Sequence, residues 1–339
     1  MFVVLDQEMR MDNSTVKTLL NNEADSSALR IGFLLLNQFS LLPFSSAIEP
    51  LRAANQQSGK QIFEWMVASP NGISSVASNG VEVHTSIDPE HLKNCRMVFV
   101  CAGVNVRGNT NKAILNLVRR LDRNGAIIGA ICTGTYVMAA AGLLNGRRCT
   151  IHWENIDGLA EEFQDLDITN DLFEIDGNRV TCSGGTASLD MMLNLISHSH
   201  GAQLAAEISD QFIHDRIREP TDRQRMELRS RIGVSHPKLL AVVKIMEENL
   251  EEPLPQTTIA RETGLSTRQL ERLFRKYMST TPTRYYLNLR LARARLLLRQ
   301  TSMSILSVAL ACGFVSASHF SKCYREYYSR TPRAERIPD

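Results

Sequence analysis

The sequence of 339 residues has no apolar run of about 18 residues, so no membrane-spanning helix is expected. Its first 25 residues mix acidic and polar side chains and lack the basic start and apolar core of a secretory signal. The seven cysteines are an odd number and include no pair with CxxC spacing, which argues against a zinc site or a disulfide framework. We therefore expect a cytoplasmic protein that uses no metal and no cofactor and binds no membrane.

Charge is divided unevenly along the chain, although the whole chain carries only +2. Residues 1–222 carry a net charge of −9, whereas residues 223–339 carry +11. This split predicts two modules with different partners, the basic one facing nucleic acid or an anionic surface. A solvated charged surface without a partner is the alternative.

The acidic part alternates short β-rich runs with amphipathic stretches from residue 29, which is typical of a parallel sheet with crossover helices. An Asp176-Gly177 turn predicts a β-hairpin within residues 172–182. Residues 219–235 are polar and contain Pro220 and Gly233, so they are predicted as a linker. The predicted strands are 30–36, 63–68, 97–101, 126–131 and 149–153, and the predicted helical regions are 111–123 and 186–218.

The basic third contains an internal repeat at an offset of about fifty residues. Gly264 matches Gly313 and, after a one-residue insertion, Ser266 matches Ser316. Apolar residues follow both serines at the i, i+3, i+4 and i+7 spacing of one helical face. Each copy therefore predicts a short helix, a tight turn and a serine-capped longer helix, which together form a helix-turn-helix unit. The two units cover about residues 255–277 and 304–328.

The outward face of the second helix in each copy carries small polar and basic side chains. Small polar residues near the helix start can approach base edges, while later arginine and lysine residues neutralise phosphates. An arginine-rich stretch, residues 284–299, connects the copies as a predicted helix. A basic helical array that binds protein or anionic lipid is the alternative. The predicted DNA-binding residues are Thr267, Arg268, Glu271, Arg272 and Arg275 in the first copy and Ala317, Ser318, His319, Ser321, Lys322 and Arg325 in the second.

Residues 236–338 resemble the DNA-binding domain of the AraC/XylS family of bacterial transcription regulators. The stretch GFVSASHFSKCYRE, residues 313–326, with Thr331-Pro332 behind it, is similar to the family's most characteristic segment. The resemblance implies an all-α domain, residues 236–339, that binds promoter DNA through two helix-turn-helix units.

A second motif, Gly-Ala-Ile-Cys-Thr-Gly at residues 129–134, places Cys132 between a predicted strand and a predicted helix. Small neighbours allow a sharp turn, and the N-terminus of a helix favours a thiolate. Cys132 is therefore a candidate nucleophile, and a buried core thiol is the alternative.

The run from residue 30 to about 215 resembles the PfpI-like branch of the class I glutamine amidotransferase-like superfamily. The resemblance implies a flavodoxin-like α/β sandwich over residues 29–218, behind an N-terminal tail of residues 1–28. It also implies that Glu49 faces Cys132. Each enzymatic interpretation lacks a partner residue, because Thr133 stands where PfpI-like peptidases tend to have histidine and His152 lies only about twenty residues after the cysteine.

The order of the two domains is similar to a subset of the AraC family whose members respond to arginine, glycine betaine, carnitine and related compounds. The resemblance implies a regulator without enzyme activity, an activator that dimerises through the α/β domain and contacts RNA polymerase. A cysteine-dependent amidase or hydratase, or a thiol redox sensor, is the alternative at Cys132. The candidate residues for binding a small-molecule effector are Glu49, Cys132, Thr133, His152 and Trp153.

Overall fold

The computed structural model describes residues 28–85 and 87–336 and divides the chain into two compact units, residues 1–224 and 225–339. The tail predicted over residues 1–28 lies outside the described residues except for its last position.

A six-stranded sheet forms the centre of the first unit. Its strand order is β2-β1-β5-β6-β10-β9, and every pair is parallel except β10 with β9. The strands are β1 (Leu29–Leu35), β2 (Phe63–Ala68), β3 (Ser74–Val76), β4 (Glu82–His84), β5 (Met97–Ala102), β6 (Ile127–Cys132), β7 (Arg148–Thr150), β8 (Asp167–Thr169), β9 (Phe173–Asp176) and β10 (Arg179–Cys182).

Helices cover both faces of this sheet. Alternate residues of β5 show why, because Phe99 packs into the core on one face while Val98 and Val100 pack into the core on the other. Helices α1, α5 and α6 contribute to the first core, and α2, α3 and α4 to the second. The predicted flavodoxin-like α/β sandwich is confirmed. The helices are α1 (Leu41–Ser58), α2 (Lys112–Arg123), α3 (Gly134–Ala140), α4 (Ile156–Glu162), α5 (Ala187–His200) and α6 (Ala202–Gln211).

One predicted strand differs from the structure. The strand predicted over residues 149–153 forms only as β7, which pairs with β8 in a separate small sheet. The predicted hairpin is confirmed, because β9 pairs antiparallel with β10, and β10 lies beside β6. The predicted linker, residues 219–235, is divided between the two units, because its first six residues belong to the α/β unit and the rest to the helical unit.

The second unit is all-α and contains two helix-turn-helix units, as predicted. The first helix-turn-helix unit consists of α9 and α10, and the second consists of α12 and α13. Helix α11 connects the two. Each copy has its own apolar core, containing Leu270 and Phe274 in one and Phe320 and Tyr324 in the other. The helices are α7 (Leu228–Ile232), α8 (Pro237–Glu248), α9 (Gln256–Glu262), α10 (Thr267–Met278), α11 (Pro282–Gln300), α12 (Ile305–Ala311), α13 (Ala317–Tyr328) and α14 (Pro332–Glu335).

The same capping residues begin and end both recognition helices. Ser266 and Gln269 form a reciprocal capping box at the start of α10, and the Ser316 hydroxyl accepts the His319 backbone N–H at 3.3 Å. Ser279 and Ser329 end the two helices in left-handed conformation. The internal repeat therefore extends to the backbone conformation of each helix end.

The arginines of α11 are largely used inside the unit. Arg290 donates to the carbonyl oxygens of Cys312 and Gly313 at 2.7 and 2.6 Å, and its guanidinium lies 4.2 Å from the Phe314 ring centroid. Arg293 donates to the Ala311 carbonyl at 3.1 Å. These bonds hold the turn of the second helix-turn-helix unit against α11.

Glu335 attaches α14 to α11. Its carboxylate is fully buried and accepts from Arg295 at 3.0 Å and from Arg299 at 2.6 Å. Burial by itself would raise the pKa of the Glu335 carboxyl, but the hydrogen bonds from both arginines outweigh burial and hold that pKa below its usual value.

Within residues 28–85 and 87–336, no helix is both long and apolar enough to cross a membrane. Over the same ranges, no group of three or more histidine, cysteine or acidic side chains is placed to hold a metal ion. The seven cysteines are free thiols.

Replacing Glu335 with glutamine should lower the free energy of unfolding of the second unit by about 1–3 kcal/mol, because two guanidinium groups lose their anionic partner. The loss stays below that of a fully buried ion pair, since both arginines are partly exposed. Because the folded pKa is depressed, this contribution is present above the ordinary glutamate pKa of about 4.3 and is lost as the pH falls below it.

Urea unfolding followed by far-UV circular dichroism measures this change. Both tryptophans lie in the first unit, so tryptophan fluorescence reports that unit separately and should not change. Glu248→Gln is the matched control, because Glu248 forms an exposed ion pair with Lys244. Equal stability of Glu335→Gln and wild type would contradict the role of this carboxylate.

Candidate functional site

The elbow, defined as residues 129–134, is a tight strand-to-helix turn at the carboxyl end of β6. Cys132 ends the strand at φ +59°, and α3 begins two residues later. A Cβ on Gly134 would lie 2.1 Å from the Val100 carbonyl oxygen, so only glycine fits there. The predicted nucleophile-like geometry is therefore present in the backbone.

The Cys132 side chain is enclosed by the neighbouring loops. It is buried, and its Sγ lies 3.8 Å from the hydroxyl of Ser40, the residue before α1. On the other side a Cβ on Gly184 would come within 2.7 Å of the Cys132 Cβ. The loops after β1, β6 and β10 thus meet at the thiol, where α/β sheets place their ligands.

Burial raises the pKa of the Cys132 thiol. The Ser40 hydroxyl and the Thr133 backbone N–H act in the opposite direction, and the negative charge of Glu154 adds to the increase. The net shift keeps the sulfur protonated at neutral pH. Burial therefore opposes the thiolate that the helix N-terminus is expected to favour, and a thiol is less reactive than a thiolate.

His152, Trp153 and Glu154 follow β7, and the charge of Glu154 acts on Cys132 in the elbow. The Trp153 ring centroid is 5.7 Å from the His152 ring, and both side chains are partly buried. Burial lowers the pKa of His152, while Glu154 partly offsets the shift. The group thus presents a neutral imidazole, an indole and a carboxylate.

The other two predicted effector residues occupy different environments. Thr133 is buried, and its hydroxyl donates to the Gly103 carbonyl at 2.7 Å, so its donor is already used. Glu49 lies on the exposed side of α1, and its carboxylate accepts from Arg52 at 2.7 Å. The acidic side chain whose charge acts on Cys132 is Glu154, not Glu49.

Sequence patterns did not single out two residues at the thiol, Ser40 and Gly184. Both lie outside the elbow in sequence and reach Cys132 only because parallel strands end at one edge of the sheet. The sequence marks them only as local features, because Ser40 directly precedes α1 and Gly184 follows β10.

The exit segment, residues 214–224, carries the chain away from the α/β unit along the elbow edge. Arg218 donates twice to the Asp190 carboxylate, at 2.9 and 2.6 Å, and this aspartate is fully buried. His214 contacts the other oxygen of the same carboxylate at 2.8 Å. Asp190 lies six residues after Gly184, which packs against Cys132.

The end of the exit segment is hydrogen-bonded at the end of β7. The Gln224 side-chain amide donates to the Thr150 hydroxyl and to the carbonyls of Ile151 and Asp171, at 3.0, 3.1 and 2.9 Å. Ile151 directly precedes His152. The segment that leads to the second unit is therefore hydrogen-bonded to Asp190, six residues after Gly184, and to Ile151, one residue before His152.

The predicted DNA-binding side chains lie on the recognition helices α10 and α13. All five predicted residues of α10 are exposed. On α13, Ala317 and Ser321 are partly buried, whereas the other four are exposed. The His319 ring also packs edge-on against Phe314 at 5.8 Å. The exposed faces combine small polar residues with basic ones, a composition suited to base edges and phosphates.

Comparison with known proteins finds matches in both units. Residues 259–336 match the helix-turn-helix domain family and residues 30–198 match the DJ-1/PfpI family. The HTH-type transcriptional regulator GbdR of Pseudomonas aeruginosa is 47% identical over 306 residues, covering 90% of this chain and 83% of that protein. The HTH-type transcriptional regulator CdhR of the same species is 47% identical over 304 residues, covering 90% of both. A crystal structure of an AraC family transcriptional regulator from Pseudomonas putida matches with 25% identity and a TM-score of 0.50, covering 54% of this chain and 99% of that one.

Iodoacetamide at pH 7.5 should alkylate Cys132 roughly tenfold more slowly than Cys323, because the raised pKa and burial of Cys132 leave little reactive thiolate. Peptide mass spectrometry over time measures both rates in the same sample, and the Cys132 rate should increase only in alkaline solution. Ser40→Ala should slow the reaction further, because the serine hydroxyl lowers the thiol pKa. Modification of Cys132 as fast as Cys323 at pH 7.5 would show that a thiolate is present.

Proposed function

Because the chain belongs to the AraC/XylS family, in the group of transcriptional regulators with an N-terminal DJ-1/PfpI domain, we propose that its α/β unit binds a small-molecule effector at the elbow. The protein is a sequence-specific DNA-binding transcription regulator. The proposed effector is a small amino acid or a betaine- or carnitine-like metabolite. The observation that carries this choice is an indole, Trp153, directly before Glu154, the carboxylate whose charge acts on the Cys132 thiol.

The chemistry of those two side chains suits a cationic nitrogen. An indole face attracts a quaternary ammonium group, and a carboxylate adds charge attraction. Tyr136, another aromatic residue near the elbow, is less available because its hydroxyl donates to Glu162 at 3.0 Å and its ring packs on Phe163. Trp65 lies in the middle of edge strand β2, away from the carboxyl ends of the strands. Trp153 directly precedes Glu154, whose charge acts on Cys132, and this position makes it the better aromatic candidate.

The proposed signal leaves the α/β unit through the exit segment. An effector that shifts the Cys132–Gly184 contact would disturb the turn leading to Asp190, and one that shifts His152 would disturb the carbonyl bound by Gln224. A ligand changes an equilibrium only through contacts that differ between the two states, and in the proposed mechanism these bonds are the contacts that change.

The proposal also covers assembly and mode of action. The protein acts in the cytoplasm as a homodimer on paired DNA sites, since half-site spacing follows protein symmetry. As an activator it contacts RNA polymerase. No catalysis is assigned to Cys132, because its thiol is held protonated and its hydroxyl neighbour, Ser40, is not a base.

Glycine betaine, carnitine or arginine at millimolar concentration should raise the unfolding temperature of the α/β unit, because a ligand that binds only the folded state stabilises it. Differential scanning fluorimetry on the full chain, with tryptophan emission as the signal, measures the shift. The matched ligand control is 3,3-dimethylbutanoate, which has the shape of glycine betaine without the positive charge. It should give no shift.

Substitutions locate the effect. Trp153→Leu and Glu154→Gln should each abolish at least half of the shift produced by the active compound, whereas Trp65→Phe should leave it unchanged. Equal shifts from 3,3-dimethylbutanoate, or full shifts in Trp153→Leu, would contradict binding of a cationic nitrogen at this position. No shift with any of the three compounds would contradict the proposed effector class.

Arg218→Lys should separate effector binding from the transcriptional response. Lysine keeps the charge beside Asp190 but cannot make the paired guanidinium bonds, so the exit segment is held less firmly. The thermal shift should persist while effector-dependent reporter transcription falls at least roughly fivefold, within the usual range of allosteric coupling. Arg216→Lys is the control, because Arg216 is exposed and pairs only with Asp222 among the contacts described. An unchanged response in Arg218→Lys would exclude this route.

A further inference from the structure

Val315 is an exposed apolar residue at the leading end of a recognition helix. Its side chain is 90% exposed, and it directly precedes Ser316, the residue that caps α13. An isolated exposed valine is ordinary on a protein surface. Its position is not ordinary, because residues at the N-terminal end of a recognition helix are those that meet base edges in the major groove.

The internal repeat shows that Val315 has no packing role. In the first copy Leu265 occupies the position before the capping serine and packs against the core of its unit. In the second copy the one-residue insertion gives this packing role to Phe314, which is buried and lies 5.1 Å from the Phe320 ring. Val315 is thereby left outside the core that its counterpart helps to form.

The surrounding side chains make Val315 the main apolar group at this end of α13. The Ser316 hydroxyl is used in the helix cap. Ser318 and His319 are exposed and polar, and Ala317 contributes a single methyl group. The leading edge of the second recognition helix therefore presents two valine methyl groups beside polar neighbours, whereas α10 begins with Thr267 and Arg268.

We propose that Val315 determines sequence specificity by packing against the 5-methyl group of a thymine in the major groove. A valine side chain has no donor or acceptor, so it cannot distinguish bases by hydrogen bonding. The thymine methyl is the apolar group that base pairs present in this groove, and contact with it is a known means of direct recognition. The second helix-turn-helix unit therefore requires a thymine at one position of the DNA site. The first helix-turn-helix unit lacks this contact.

Selection of duplexes from a random-sequence pool by the purified full-length protein, followed by sequencing, tests this assignment. Wild type should select a thymine at one position of the site that Val315→Ala selects less strongly. Val104→Ala is the matched control, because Val104 is also an exposed valine but lies in the α/β unit. It should select the same sequences as wild type.

Deoxyuridine in place of thymidine in the DNA provides a second test, which uses the wild-type protein and so does not depend on whether a variant folds. Uracil lacks only the methyl group, so replacing each selected thymine in turn should reveal one position at which wild-type affinity falls roughly three- to fivefold, the effect of losing one buried methyl. Val315→Ala should show a smaller loss of affinity at that position, because its single methyl group makes less contact with the thymine methyl. Wild-type affinity that no single uracil lowers, or a uracil effect of equal size in Val315→Ala, would overturn the proposal.

Discussion

Close backbone packing around Cys132 is the constraint on which the α/β unit depends. Gly134 must approach the Val100 carbonyl, and Gly184 must approach Cys132, at distances that exclude a Cβ. These contacts bring the ends of three strands together and hold Cys132 in a left-handed conformation. The same packing removes the thiol from water and raises its pKa. Cys132 thus has the backbone conformation typical of a nucleophile and the raised thiol pKa typical of a buried core cysteine.

The second unit shows a different use of charge. Its excess of basic residues predicts contact with phosphates, but several arginines of α11 instead bind carbonyl oxygens or the buried Glu335 carboxylate. They fix the second helix-turn-helix unit and α14 to the connecting helix. The exposed basic side chains of α10 and α13 remain available for DNA. The net charge therefore identifies the DNA-binding module. The hydrogen bonds show which of its arginines stabilise the fold and which are left exposed.

Sequence patterns predicted the parallel sheet and both helix-turn-helix units, because alternation in strands and the i, i+3, i+4, i+7 spacing in helices reflect burial directly. They were less informative about β7, because a strand-like stretch as short as residues 149–153 is compatible with either a central strand or a peripheral one. The candidate effector site stays a prediction. His152 and Trp153 pack against each other and the charge of the next residue, Glu154, acts on the Cys132 thiol, but Glu49 faces solvent and pairs with Arg52.

The sequence by itself determined the two modules, the repeat and the elbow, since each is encoded by residues close together in the chain. Only the tertiary structure decided the protonation of Cys132, the internal pairing of the α11 arginines and the path of the exit segment past the elbow. Those properties depend on burial and on contacts between residues far apart in sequence, such as Ser40 with Cys132 and Arg295 with Glu335. Local sequence patterns carry no information about this burial or these contacts, because desolvation and hydrogen bonding depend on residues that become neighbours only in the folded structure.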